Sequence, residues 1–131
     1  DCHVILRGGR SGPNYGAGQV RQALATIADA GLPRRVMVDA SHGNSGRDHR
    51  RQPAVVGSLA EQVAGGEQGL MGMMLESFLA EGRQEPGDPA RLVYGQSITD
   101  ACMDVDTTAG VLGELAAAAR RRRSAAGPVR S

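Results

Sequence analysis

The sequence predicts an α/β fold built from three strand–helix units that read as part of a parallel barrel. Short apolar runs alternate with stretches of helical period, which is the pattern of βα units. Glycine-marked breaks follow the first two helical stretches, at Gly31 and at Gly65–Gly66. Polar residues recur regularly at the ends of the apolar runs: 35 positions separate Arg7 from His42 and 34 separate His42 from Glu76, close to the roughly 30 or more residues of a βα unit. Such units lay strands parallel through right-handed crossovers, so Arg7, His42 and Glu76 are expected at one end of one sheet. A closed barrel needs eight units, so three make an incomplete one.

The elements follow in order. His3 to Leu6 (HVIL) is a compact apolar run closed by Arg7, Gly8 and Gly9, and reads as a strand. Arg10 to Tyr15 is a loop, with Gly12, Pro13 and Asn14 as breakers. Ala17 to Ala30 reads as a helix with Val20, Leu24, Ile27 and Ala28 on one stripe, stopped by Gly31 and Pro33. Val36, Met37 and Val38 predict a buried strand that runs into Asp39, Ser41, His42 and Asn44. Gly43 to Gln52 is a loop of small and charged residues. Pro53 to Ala64 predicts a second helix, because proline suits the first turn and Val55, Val56, Leu59 and Val63 make an apolar face. Gly69 to Leu75 predicts a third buried strand, closed by Glu76 and Ser77. Arg83 to Leu92, with Pro86, Gly87 and Pro89, is a long surface loop, and Gly95 to Asp106 is irregular with room for one helical turn. Val111, Leu112, Leu115 and Ala119 support a last helix from Thr107 to Arg123. Residues 1–123 then form the folded unit and 124–131 a disordered tail.

At 131 residues there is room for one modest domain. The chain opens at Asp1 and enters an apolar run almost at once, which reads as a start within a fold and makes a fragment the expectation. With a formal net charge of +1, bulk electrostatics argue for neither nucleic acid nor membrane as a partner. All 15 basic residues are arginine, which excludes a lysine Schiff base and a P-loop. Aromatics at 2% argue against base-stacking platforms. Cys2 and Cys102 match no zinc-ribbon spacing. No signal peptide or membrane-length apolar run is visible, so the expected location is cytoplasmic.

A histidine and two carboxylates at neighbouring strand ends suit a divalent metal; the candidates are His42, Glu76 and either Asp39 or Asp100. Imidazole with ionised carboxylates favours manganese, iron or zinc over softer copper. Arg7, followed by two glycines, suits a phosphate or carboxylate through a bidentate guanidinium contact. The competing reading is structural: Asp39 and Ser41 serve as turn residues and Arg7 as an ion-pair partner. Ser41 with His42 lacks the G-x-S-x-G elbow of a hydrolase, and Gly8–Gly9 lacks the G-x-G-x-x-G of a dinucleotide site. Arg120 to Arg123 reads as a solvated helix end where cations suit the dipole. Met71, Met73 and Met74 read as packing. His3 falls at the far end of its strand from the site, and His49 reads as an exposed loop residue.

The segments DCHVILRGG, PNY, VMVDASHGNS, GGE (Gly65 to Glu67), GMMLESFL, EG and YGQSITDAC, in this order and spacing, resemble the class I 3-deoxy-D-arabino-heptulosonate 7-phosphate (DAHP) synthases from Asp1 to about Arg123. The resemblance implies a (β/α)8 TIM barrel of which this chain carries the last three βα units. It implies 3-deoxy-7-phosphoheptulonate synthase activity, the first step of the shikimate pathway to aromatic amino acids. Phosphoenolpyruvate and erythrose 4-phosphate are the implied substrates, phosphate is released, and a divalent metal is required. By motif, His42 in DASHGNS, Glu76 in MLESFL and Asp100 in SITDAC are the implied metal ligands, and Arg7 in ILRGG belongs to the phosphoenolpyruvate site. The resemblance thereby selects Asp100 over Asp39.

The family's fourth ligand, a cysteine, and its KPR-type and GAR-type substrate segments have no counterpart here. Cys2 precedes its strand, and Cys102 reads as a packed thiol beside Asp100. The expectation is that activity resides in a complete barrel, that this chain alone is inactive, and that its open strand flanks seek a second copy or a complementary N-terminal half. The alternatives are a non-catalytic remnant or split half that binds another chain, and an independent small metal-binding domain.

Overall fold

The computed structural model describes residues 2–126. Strands β1 (Val4–Leu6), β2 (Val36–Asp39) and β3 (Leu70–Met74) form one parallel sheet in the order β1-β2-β3. Helix α1 (Ala17–Asp29) connects β1 to β2. A one-turn helix α2 (His42–Ser45) and helix α3 (Gln52–Ala64) connect β2 to β3, and α4 (Val105–Ala125) follows a long irregular connection. The predicted α/β order with three parallel strands is therefore present. Among the described residues no helix is long and apolar enough to cross a membrane.

Glycine sets both αβ turns. At the end of α1 the Gly31 N–H reaches the Ala28 carbonyl at 2.9 Å and the Leu32 N–H reaches that of Ile27 at 3.1 Å, with Gly31 at φ +70°. The end of α3 repeats the pattern, with Gly66 at φ +102° and Glu67 donating to Gln62 at 3.0 Å. These are the paired bonds of a left-handed helix terminus, which an L side chain adopts only under strain.

Leu6, Val36, Val38 and Leu70 turn into a core shared with Val20 and Leu24 of α1, Val56 and Leu59 of α3, and Val111 and Ala118 of α4. Ile5 and Met37, at the alternate strand positions, lie in the register row Ile5–Met37–Gly72 on the other side of the sheet, and Ile5 is exposed.

Several expectations change. β3 is only half-buried: the register jumps from Val36–Leu70 to Met37–Gly72, leaving Met71 as an unpaired bulge residue that is exposed. Ala28 is exposed, and Ala23 packs on the core in its place. The loop over 43–52 contains α2 and a 3-10 turn at His49–Arg51, and the loop over 83–92 contains another at Pro89–Arg91. Consequently His49 is half-buried, with Nε2 3.5 Å from Glu81. Helix α4 begins earlier than predicted, because the Asp104 side chain caps it by accepting from the Thr107 N–H at 2.7 Å. Its buried positions are Val111 and Ala118; Leu112 is exposed. The helix also runs to Ala125, two residues into the predicted tail, with Ala126 as its C-cap, and residues 127–131 of that tail lie outside the described residues.

Candidate metal centre

The parallel sheet brings Arg7, His42 and Glu76 to one edge, each just beyond the carboxyl end of its strand. The β1 and β2 ends are locked together by backbone approach. A Cβ on Gly8, which sits at φ +92°, would lie 2.7 Å from the Gly43 backbone. The Gly43 N–H donates to the Arg7 carbonyl at 3.0 Å. Asn44, buried, donates through Nδ2 to the carbonyls of Leu6 at 3.0 Å and Asp39 at 2.7 Å, while its Oδ1 accepts the Asn14 N–H at 2.8 Å. Asn14 in turn accepts the Gly8 N–H at 2.8 Å. Two asparagines and two glycines thus fix where Arg7 and His42 emerge.

Asp39 is the buried hub behind His42, at 1% exposure. Its Oδ1 accepts the Ser41 N–H at 2.8 Å, the Ser41 hydroxyl at 2.7 Å and the His42 N–H at 3.3 Å; its Oδ2 lies 2.6 Å from His42 Nδ1. Burial alone would raise the Asp39 pKa, but the hydrogen bonds from Ser41 and His42 outweigh it and hold the carboxyl below its ordinary range. An ionised carboxylate only accepts, so a proton stands on Nδ1, and in the neutral imidazole the lone pair falls on Nε2. This is the arrangement in which a carboxylate orients a metal-binding histidine.

His42 Nε2 faces Glu76 Oε1 at 3.4 Å and Asp100 Oδ2 at 3.6 Å. One ligand atom from each of the three residues falls within 4.8 Å of the others. Bonds of about 2.0–2.2 Å to nitrogen and oxygen donors imply donors roughly 3.3–3.6 Å apart around a tetrahedral ion, and the two spacings from His42 Nε2 fall in that range. Burial, and then the charge of Asp100, raise the Glu76 pKa, partly offset by His42 and Arg7. A carboxylate pair under such repulsion is what a cation relieves.

Asp100 arrives on the long connection after β3, where Met103 N–H donates to the Glu76 carbonyl at 3.0 Å and Gly82 pairs with Cys102. Cys102 is half-buried and its thiol pKa is raised, chiefly by burial. Asp39 is thus not among the three converging donors; it stands behind His42. Arg7 Nε lies 3.8 Å from Asp39 Oδ2 while the side chain stays 57% exposed. Ser41 and Asp39 both approach the same imidazole nitrogen, Ser41 Oγ at 2.9 Å, which is not the relay of a hydrolase triad, where base and orienting acid use opposite nitrogens.

The sequence alone pointed to no part in holding the site for Gln52, Asn14 or Asn44. Gln52 is buried and bonds the Glu76 backbone twice, Nε2 donating to the carbonyl at 3.1 Å and Oε1 accepting the N–H at 3.0 Å. Its signal was available: position 52 continues the stripe of Val56, Leu59 and Val63, and a polar residue on a core stripe needs partners.

The DAHP synthetase I family matches residues 1–112. The phospho-2-dehydro-3-deoxyheptonate aldolase of Corynebacterium glutamicum is 52% identical over 134 residues, covering 96% of this chain and 36% of that protein. The tyrosine-inhibited phospho-2-dehydro-3-deoxyheptonate aldolase of Schizosaccharomyces pombe is 47% identical over 127 residues, covering 94% of this chain and 34% of that protein. Among solved structures, the phospho-2-dehydro-3-deoxyheptonate aldolase from Francisella tularensis SCHU S4 aligns with a TM-score of 0.88 at 42% identity, covering 92% of this chain and 35% of that one. The chain spans about a third of the length of these relatives.

Proposed function

Because this chain belongs to the DAHP synthetase I family, we propose that it carries the metal-binding side of a 3-deoxy-7-phosphoheptulonate synthase active site, on the last three βα units of a (β/α)8 barrel. The complete enzyme condenses phosphoenolpyruvate with erythrose 4-phosphate and releases phosphate, in the cytoplasm. One observation carries the reading: His42 Nε2 and the carboxylates of Glu76 and Asp100 converge from separate segments, with Asp39 Oδ2 behind His42 at 2.6 Å from Nδ1.

His42, Glu76 and Asp100 would hold a divalent ion of the manganese, iron or zinc class. Bound there, the ion supplies Lewis-acid polarisation of the aldehyde oxygen of erythrose 4-phosphate. Asp39 keeps the His42 proton on Nδ1. Arg7 offers its exposed guanidinium to a carboxylate or phosphate of phosphoenolpyruvate, and its ion pair with Asp39 keeps it at the strand end that carries His42. One guanidinium is a sparse counter-charge for two anionic substrates. The chain alone is therefore expected to be inactive, with turnover belonging to the complete barrel.

Manganese titration tests the site. The wild-type chain should bind Mn2+, and His42→Ala and Glu76→Ala should each weaken binding by roughly tenfold or more; unchanged affinity in both would remove the assignment. Incubated alone with both substrates and Mn2+, the chain should consume no phosphoenolpyruvate, and measurable turnover would refute its dependence on the rest of the barrel.

A second reading, a split half that joins another chain, is favoured by the sheet itself. β1 and β3 are both edge strands, and Val4, Ile5 and Met71 are exposed, which is the condition that invites strand addition. Size-exclusion chromatography with and without a complementary N-terminal half tests it; a compact monomer unmoved by mixing would rule it out.

A further inference from the structure

Gln52 is the first residue of α3 and is 1% exposed. Both polar atoms of its carboxamide go to one residue: Nε2 donates to the Glu76 carbonyl and Oε1 accepts the Glu76 N–H, at 3.1 and 3.0 Å. A primary amide presents the same donor–acceptor pair as a peptide edge. Gln52 therefore treats the backbone just past β3 as a neighbouring strand would. We propose that Gln52 is a positioning residue of the metal centre, which fixes the Glu76 backbone so that its carboxylate faces His42 Nε2; this rests on the metal-site reading given above.

The Glu76 carbonyl is shared. It accepts from Gln52 and also from the Met103 N–H at 3.0 Å, three residues beyond Asp100. Phe78 N–H returns to the Met103 carbonyl at 2.9 Å. Gln52 thus sits where the backbone carrying Glu76 first meets the arm carrying Asp100. Helix stability gives no reason for a glutamine here, because position 52 lies on the stripe of Val56, Leu59 and Val63, where an apolar side chain would bring no polar group of its own but would take from the Glu76 N–H the acceptor it has in Gln52. What the glutamine adds is a fixed backbone at Glu76.

The test uses the full 131-residue chain and two readouts, Mn2+ affinity by calorimetry and hydrogen exchange resolved at the Glu76 amide. Gln52→Leu keeps the volume and removes both bonds. Gln52→Asn keeps the amide but is one methylene short, and as a small change at a helix start it carries the test if the leucine variant loses its far-UV circular dichroism. Both variants are expected to weaken Mn2+ by about 10–100-fold and to speed exchange at Glu76 while Val38 at the sheet centre stays protected. A role confined to packing would speed exchange at Val38 as well. Mn2+ affinity within about twofold of wild type in a folded Gln52 variant, with His42→Ala still weakening binding by roughly tenfold or more, overturns the proposal alone. Unchanged affinity in His42→Ala as well overturns the metal-site reading and the proposal with it.

Discussion

Replacing Asp39 by asparagine should disable the proposed metal centre although it changes one atom. Asp39 accepts from three donors at Oδ1 and from His42 Nδ1 at Oδ2. An amide has one oxygen and one NH2 group. Turning the NH2 toward Ser41 sets it against three donors, and each buried group left unpaired costs about 1–3 kcal/mol. The asparagine oxygen therefore stays on the Ser41 side and the NH2 faces Nδ1. Nδ1 must then accept, which moves the imidazole proton to Nε2, the nitrogen that faces Glu76 and Asp100. Loss of an outer partner of a metal-bound histidine typically lowers affinity about 10–100-fold, or roughly 1.4–2.8 kcal/mol at 1.4 kcal/mol per tenfold. Here the tautomer is inverted rather than loosened, so the upper part of that range is expected.

The assays are Mn2+ calorimetry and nitrogen chemical shifts of the His42 ring in metal-free protein. Wild type should be protonated at Nδ1 and Asp39→Asn at Nε2. A variant with the wild-type tautomer and Mn2+ affinity within about twofold would refute the reasoning. The fold should weaken too, since a hydrogen bond to a charged group contributes about 1.5–3 kcal/mol. In wild type, that contribution is present above the unfolded carboxyl pKa and is lost as pH falls through the depressed Asp39 value.

Gly8→Ala combines an unfavourable φ of +92° with a Cβ placed 2.7 Å from the Gly43 backbone; backbone strain and overpacking at about 1–3 kcal/mol each predict a loss of roughly 2–6 kcal/mol in chemical denaturation, and a change below about 0.5 kcal/mol would show that the two strand ends are not locked there. Glu76 has the opposite pH behaviour from Asp39. Its raised pKa means that the metal-free fold holds the proton more tightly than the unfolded chain, so this stabilisation is present below about the ordinary carboxyl range and is lost as pH rises through the folded value. Mn2+ competes with that proton. Thermal melts with Mn2+ at about 100 times its dissociation constant should show a gain near 2.7 kcal/mol at neutral pH, shrinking as pH falls through the raised Glu76 value, whereas a gain constant across that window would show that Glu76 does not bind the ion.

Periodicity made the strand ends legible. The 35- and 34-residue spacings placed Arg7, His42 and Glu76 together, because βα units impose a repeat and parallel strands share a direction. Asp100 lies on no such repeat. It reaches the site on an irregular arm held by bridges at Gly82–Cys102 and Arg83–Ser97, pairings that have no periodic signature, and the DAHP synthase resemblance rather than spacing chose it over Asp39. The Met71 bulge was hidden for a related reason: an apolar run reads the same with or without a register shift, and only the partner strand decides. His49 was misjudged because a 3-10 turn, too short to show a period, folds it back toward Glu81.

The three converging donors are held with decreasing firmness, and the exposures follow that order. His42, 16% exposed, is gripped by Asp39 and Ser41 through the same ring nitrogen and through its own backbone. Glu76, 24% exposed, has its backbone fixed by Gln52 on both sides while its carboxylate feels the repulsion of Asp100. Asp100, 52% exposed, depends on the arm whose Met103 meets the Glu76 carbonyl. The His42 ring and the Glu76 backbone are thus held by hydrogen bonds from Asp39, Ser41 and Gln52, and Asp100 stands on a segment tied to the Glu76 side through Met103, Cys102 and Ser97. In the proposed site an ion would meet both carboxylates already near His42 Nε2, at 3.4 Å for Glu76 and 3.6 Å for Asp100, and the relief of the repulsion between that carboxylate pair is the electrostatic gain its binding would bring.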